Sequence, residues 1–417
     1  MGMTSGRRRG AVAVAAVLTV VVVAAIAYRV LAPAEVDTPA RTAYPPAASP
    51  PVGVIGRLPV APLIVDGRLR VYAATRQVYA DQPVDRKHRV TPFWSYRRWP
   101  AQLNGVLAVD TTVLSRWSDG KLVALDARTG KVAWRADGPR PGAGFVARRT
   151  GAAVVWDPQG ISVASGPDGR AVLVVSGQGR LRGYAMADGR ELWRVDGDGA
   201  CRTDLGTTAA DRVVSVDAGA GPAVVEFRDA VTGAVRTRWR PPDAGPELTV
   251  TPLGCLTPRS RCRGLRTAGP GDPAGRGWLV GAGEPIAAPA LDAPEVTLAG
   301  ELAVGVTGGV LGGREARTGI QRWRRGDLGP VRVLATEPGR VYVLTDAREL
   351  ITLDPVTGAQ RSRFVLAVGR DGIGWKPGLA YASGGYVAVE RLREQAGPGD
   401  DDQGWFLTAE PVTLALT

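Results

Sequence analysis

The chain has 417 residues, 52 Lys and Arg against 40 Asp and Glu, and a formal charge of +12, with 55 Gly, 32 Pro, three Cys and one His. A lone His88 excludes histidine-based triads and His-rich metal sites and is read as an exposed loop residue. Gly and Pro among alternating Val, Leu and Trp runs favour many short strands over helices.

From the N-terminus, Arg7, Arg8 and Arg9 precede Ala11 to Tyr28, a stretch without charge closed by Arg29. A spanning helix needs about 17–25 apolar residues, a secretory core about 7–15. A transmembrane helix is therefore expected over 11–32, with 1–10 cytoplasmic by the positive-inside rule and the rest exported. That reading places a single-pass protein in the plasma membrane, its folded part extracytoplasmic. A cleaved signal ending at Ala25-Ile26-Ala27 is the second reading, and no Cys precedes Cys201 to carry a lipid. Residues 33–60, with Pro33, Pro39, Pro45, Pro46, Pro50, Pro51 and Pro59, read as a semi-extended stalk.

Residues 61–417 are organised around Lys121 to Trp134. Leu122–Leu125 and Val132–Trp134 are apolar runs too short for helices, so they are read as strands. Between them, Asp126 and Thr129 can bond nearby backbone N–H groups and Gly130 can take positive φ, which reverses the chain. Trp134 carries more apolar surface than one small sheet can cover, and a neighbouring copy is the natural cover.

Weaker copies follow. The second keeps Gly189 and Trp193; another keeps Thr318, Gly319 and Trp323, with Glu315 in place of Asp. Two keep the turn in full, Asp229, Thr232 and Gly233, and Asp354, Thr357 and Gly358. Their aromatics, Trp239 and Phe364, come two residues late, a shift that preserves the face of a strand. With Trp94, Trp278 and Trp405 included, the spacings are 40, 59, 46, 39, 45, 41 and 41 residues. A period near 40–45 is that of a four-stranded propeller blade. The fold expected is all-β, eight blades of four antiparallel strands, seven if the weakest copy is dropped. The apolar tail from Pro411 to Thr417 is placed to complete a sheet begun near residue 60.

The pattern Ala124, Asp126, Thr129, Gly130 and Trp134 resembles the pyrroloquinoline-quinone (PQQ) type repeat. That resemblance implies an eight-bladed propeller with tryptophans docked between blades. It also implies one of two kinds of protein, quinoprotein dehydrogenases or non-enzymatic propellers similar to outer-membrane assembly factors. The dehydrogenases hold their quinone with a disulfide of adjacent cysteines and with Ca²⁺ on carboxylate and amide oxygens. Here Cys201, Cys255 and Cys262 are not adjacent, and Asn104 is the only asparagine. No catalytic, cofactor or metal residue is therefore assigned. The assembly-factor propellers are lipoproteins, which this chain does not match.

Cys255 and Cys262 enclose a short loop and are the expected disulfide, worth about 2.5 kcal/mol in the loop-entropy estimate, while Cys201 either pairs with one of them instead or stays free. Asp196-Gly197-Asp198-Gly199 and Asp400 to Asp402 lack the alternating ligands and distal Glu of a Ca²⁺ loop. The Gly308-Gly309 and Gly312-Gly313 stretches lack the Lys-Ser/Thr of a phosphate loop. Arginines flank the late aromatics, Arg236, Arg238 and Arg240, Arg322, Arg324 and Arg325, and Arg361 and Arg363. They read as a solvated perimeter, with a basic binding rim for an anionic envelope polymer as the sharper alternative. The function expected is a membrane-anchored, non-catalytic scaffold that binds a protein of the bacterial cell envelope, using inter-strand loops and no nucleic acid. An envelope sensor or polymer-binding module is the second reading and a quinoprotein oxidoreductase the third.

Overall fold

Short apolar runs split by tight turns form antiparallel hairpins, and hairpins joined in series form sheets. The computed structural model describes residues 14, 16–23, 34–142, 150–166, 168–197, 202–219, 221–242, 244–245, 247–257, 259–269, 272–367, 372, 374–393 and 409–417. They form eight antiparallel sheets. Blade 2 shows the pattern: Leu103–Val109, Thr112–Trp117, Lys121–Asp126 and Val132–Asp137 pair in chain order. Blades 3 (161–195), 4 (202–239), 5 (249–287), 6 (297–325) and 7 (331–365) repeat it. First strands of successive blades pack on one another around the axis, as Val331–Glu337 does against Lys376–Ser383.

Blade 8 closes the ring. Lys376–Ser383, Tyr386–Leu392 and Val412–Leu416 take Gly53–Leu58 as their outermost strand, with Val54 opposite Ala415 and Leu58 opposite Val412. Blade 1 has four strands between Leu63 and Arg98, and Glu35–Thr38 adds a fifth on its outer edge. The ring has eight blades, and pairing of Gly53–Leu58 with Val412–Leu416 closes it.

Three expectations are corrected here. Residues 33–60 are no stalk: despite their prolines they supply an outer strand to blade 1 and another to blade 8, so the propeller begins before residue 61. Among the described residues no helix is long and apolar enough to cross a membrane, which overturns the single-pass plasma-membrane placement. Helical residues 14 and 16–23 fall short of a span; the rest of 11–32 lies outside the described residues. Trp278, taken as the end of a repeat, sits on the third strand of blade 5, Asp272–Leu279. Trp405 and Cys201 lie outside the described residues.

Blades are joined by one contact used four times. Trp134 of blade 2 donates its Nε1–H to the Met186 carbonyl in the turn of blade 3 at 2.9 Å. Trp94 does the same to Ala127 (2.8 Å), Trp193 to Ala230 (2.7 Å) and Trp323 to Pro355 (2.8 Å). Each acceptor is the second residue of a turn whose last residue is a glycine lying under the indole: Gly130, Gly189, Gly233 and Gly358. A Cβ on any of them would collide with the ring. The turn glycine therefore meets two demands, positive φ (70° at Gly130) and close approach.

Candidate functional site

The first strands enclose an axial cavity of about 610 Å³. Its wall mixes apolar side chains, Ile64, Val106, Leu253 and Leu334 among them, with Trp156, Tyr381 and the hydroxyl residues Ser260, Thr297, Thr336 and Ser383. Two inserts cross it. The segment before blade 3 carries the short helix Ala152–Val155 and Trp156, whose ring stacks on Tyr381 of blade 8 at 5.9 Å and whose Nε1–H reaches the Pro62 carbonyl. Thr150 donates to the buried Glu390 carboxylate at 2.5 Å, which fixes the same segment to blade 8.

The second insert is the loop between the first two strands of blade 5. Cys255 and Cys262 are bonded there, Sγ to Sγ 2.03 Å. The loop reaches back over blades 3 and 4: the Cys262 N–H donates to the Thr207 carbonyl, the Thr207 N–H to the Arg259 carbonyl, and the Val163 N–H to Ser260 Oγ. Arg259 pairs with Asp157 at 2.8 Å. Beside it Asp204 is partly buried, and desolvation raises its pKa, opposed by the Ser176 hydroxyl, the Gly206 N–H and the charges of Arg259 and Arg116. Burial pushes Arg116 down to about 10. Its guanidinium is held by the carbonyls of Pro139, Gln159, Gly160 and Ser176. The sequence reading missed Arg116 and Asp204; a charge inside the apolar strand Thr112–Trp117 was the available signal.

Glu337 is the only charged side chain on the described cavity wall. Its Oε1 accepts from Arg340 (2.7 Å), the Tyr342 hydroxyl (2.5 Å) and the Gly385 N–H (3.0 Å). Burial and this carboxylate together raise the Tyr342 pKa far above the usual range for a phenol. The carboxylate is thus spent on the seam between blades 7 and 8. Among the described residues no three His, Cys, Asp or Glu side chains converge to hold a metal. The one bonded cysteine pair is seven residues apart in sequence. These residues do not fit a quinone–Ca²⁺ centre.

Six of the eight rim arginines resolve into ion pairs within their own repeats. Arg236 returns to Asp229 (3.1 Å), Arg361 to Asp354 (2.5 Å) and Arg322 to Glu315, each seven residues after the turn carboxylate. Arg238 pairs with Glu226, Arg363 with Glu349 and Arg325 with Asp327. His88 is exposed, its Nδ1 3.5 Å from Glu410.

The repeat residues do not all do the same work. Asp229, Thr232 and Gly233, and Asp354, Thr357 and Gly358, form docked turns in which the carboxylate accepts from the Thr N–H at 3.0 Å. Ala124 lies opposite Trp134, whereas Trp239 lies opposite Val225 and Phe364 opposite Leu350, two pairs further along the third strand on the same face. Trp239 meets no turn; it packs edge-on against Trp278 at 4.9 Å. Trp278 donates to Thr267 Oγ1 of its own blade. Thr318 and Gly319 form a turn that no indole covers: within 4 Å of the Gly319 Cβ position there is nothing.

The family model described as outer membrane protein assembly factor BamB matches residues 46–166, which span blades 1 and 2 and run into blade 3. No curated protein matches the chain. BamB from Moraxella catarrhalis is similar in structure at 15% identity and a TM-score of 0.43, over 85% of this chain and 92% of that one. The computationally designed Ika8 protein is similar at 12% identity and a TM-score of 0.48, over 88% and 100%. Quinohemoprotein alcohol dehydrogenase from Comamonas testosteroni is similar at 13% identity and a TM-score of 0.43, over 85% and 72%. Function is decided by the residues of the site and not by these likenesses.

Proposed function

We propose that this propeller is a non-catalytic scaffold for protein–protein interaction. The observation that carries the reading is Glu337: the one carboxylate on the described axial cavity wall is bonded three times at a blade seam. A general acid or base needs a group in reach of substrate. The similarity of residues 46–166 to an assembly-factor family supports the same reading. Docking falls to the blade-end loops, where Leu256 and Val356 expose apolar side chains around a groove of about 880 Å³.

Two measurements test it. Incubation with PQQ and Ca²⁺ followed by gel filtration is expected to leave no quinone absorbance with the protein; retained absorbance overturns the scaffold reading. A photo-crosslinker at Val356, used in the cells that make the protein, is expected to give a reproducible protein adduct. Adducts with glycan and with no protein would sink it.

A further inference from the structure

Carboxylates clamped between two arginines recur in this chain. Glu35 takes Arg98 at 3.1 Å and Arg135 at 3.0 Å across the seam between blades 1 and 2. Glu226 takes Arg228 at 2.6 Å and Arg238 at 3.0 Å on blade 4. On blade 3, Arg182 and Arg194 lie opposite one another on the third and fourth strands, and both reach Glu191, at 3.5 Å and 2.6 Å. Like charges opposed on one face of a sheet repel, and a shared carboxylate offsets that cost.

Blade 6 repeats the blade 3 arrangement with the carboxylate removed. Gly312 faces Arg324, Gly313 faces Trp323 and Arg314 faces Gln321, as Arg182, Gly183 and Tyr184 face Arg194, Trp193 and Glu191, with the same register shift after the glycine. Gln321 therefore stands where Glu191 does. Arg314 and Arg324 are diagonal neighbours on one face of the strand pair, both exposed, and neither has an ion pair among the described residues. An amide does not neutralise them.

The same face borders a cleft of about 410 Å³, within the range of ligand pockets. It opens because the fourth strand of blade 5 is reduced to Ile286–Ala287 and is followed by a single 3-10 turn, Pro289–Leu291. Arg314, Gln321 and Arg324 all lie on its lining. So does Gly312, where an added Cβ would meet only the Trp323 carbonyl, at 3.4 Å, and the floor there is bare backbone. Pro289, Ala290, Ala293 and Val296 make the blade 5 wall apolar. Asp292, also on the lining, accepts the Gly277 N–H at 2.8 Å, and one aspartate against two arginines leaves the cleft with positive charge in excess.

We propose that this cleft binds a small carboxylic acid with a flat apolar body, its carboxylate clamped by Arg314 and Arg324 and its body lying on the Gly312 floor against the blade 5 wall. The clamped carboxylates elsewhere in the chain define the acid group, since a guanidinium meets a carboxylate with parallel N–H bonds. The bare floor and the apolar wall define the body. The site goes beyond the scaffold reading and does not depend on it.

Calorimetry of the full chain with naphthoate, and with its neutral amide, tests the site. Naphthoate is expected to bind at least about 10-fold more tightly than the amide, the size of a charge-assisted hydrogen bond. Arg314→Gln with Arg324→Gln is expected to bring naphthoate down to the level of the amide. Gly312→Leu, which fills the floor, is expected to weaken both ligands alike. Gln321→Glu, which returns the carboxylate that blade 3 carries, is expected to weaken naphthoate at least about 10-fold without lowering Tm, and keeps the test open should another variant misfold. Equal affinity for acid and amide, no binding of naphthoate up to millimolar concentration, or full affinity in Gln321→Glu overturns the site. None of these results touches the scaffold reading, whose tests use Val356 and the quinone.

Discussion

The seam between blades 2 and 3 and the seam between blades 5 and 6 start from the same turn and end differently. In the first, Trp134 lies on Gly189 and bonds the Met186 carbonyl, so apolar cover and a directed hydrogen bond come from one side chain. In the second, Leu291 gives cover over Gly277 and leaves Gly319 open. Blade 5 is instead tied through its Cys255–Cys262 loop to Thr207 and Val163, two blades back at the far end of the reach. A propeller tolerates the loss of one dock when a loop spans several blades, because each blade needs only to stay in register with its neighbours.

The largest effect that would break this contrast is truncation of a docked indole. Trp134→Ala is expected to cost about 3–5 kcal/mol, by cavity formation and loss of the bond to Met186, read as a lower denaturant midpoint. Leu291→Ala is expected to fall at the low end of about 2–5 kcal/mol, because a cleft already lies beside it. Equal losses would mean that the two seams are equivalent. Next comes the clip. Cys255→Ser with Cys262→Ser is expected to cost about 2.5 kcal/mol for a loop of this length and to raise amide exchange at Thr207 and Ala209, whose N–H groups the loop holds. Unchanged exchange there would show that the loop does not tie blade 5 to blade 4.

A finer comparison separates the two demands on the turn glycines. Gly319→Ala meets nothing within 4 Å and bears only the strain of positive φ, about 1 kcal/mol. Gly189→Ala bears the same strain and drives a methyl into the Trp134 ring, so its loss is expected to exceed that of Gly319→Ala by about 1–3 kcal/mol. Thermal midpoints of the two variants, measured side by side, decide the matter; matching shifts would remove the case for an open dock.

How far the sequence disclosed this follows from which features are local. The Asp-x-x-Thr-Gly turn is local, so Asp229 to Gly233 and Asp354 to Gly358 could be read directly, and the 40–45-residue period carried the blades with them. Placement of Trp278 could not be read that way, because spacing alone does not tell a third strand from a fourth when the fourth has shrunk to Ile286–Ala287. Nor could the outer strands Glu35–Thr38 and Gly53–Leu58. Proline density argued for a stalk, and an edge strand with proline outside it satisfies the same composition. Arg116 and Asp204 are set by partners far along the chain, which no local window contains.

The smallest effect concerns the carboxylates of the docked turns. Arg361, bonded to Asp354, together with the Thr357 and Val356 N–H groups, lowers the Asp354 pKa to about 2 from its usual value near 3.8. A carboxyl whose folded pKa is depressed stabilises the fold above its unfolded pKa and loses that contribution as pH falls through the folded value. The contribution is thus complete above about pH 4 and gone below about pH 2. Glu315, in the uncovered turn, is also lowered, by Thr318 and Arg322, so both turns share the sign. Both carboxylates are near the surface, and solvent screening keeps each effect small. Asp354→Asn should therefore shift the midpoint slightly at pH 6, and the shift should vanish as pH approaches 2. What distinguishes the turns is the indole above: Trp323 covers Gly358 and nothing covers Gly319. Salt should consequently erode the Glu315 contribution more than that of Asp354, and equal salt sensitivity of Asp354→Asn and Glu315→Gln would show that the missing indole leaves the turn's electrostatics unchanged.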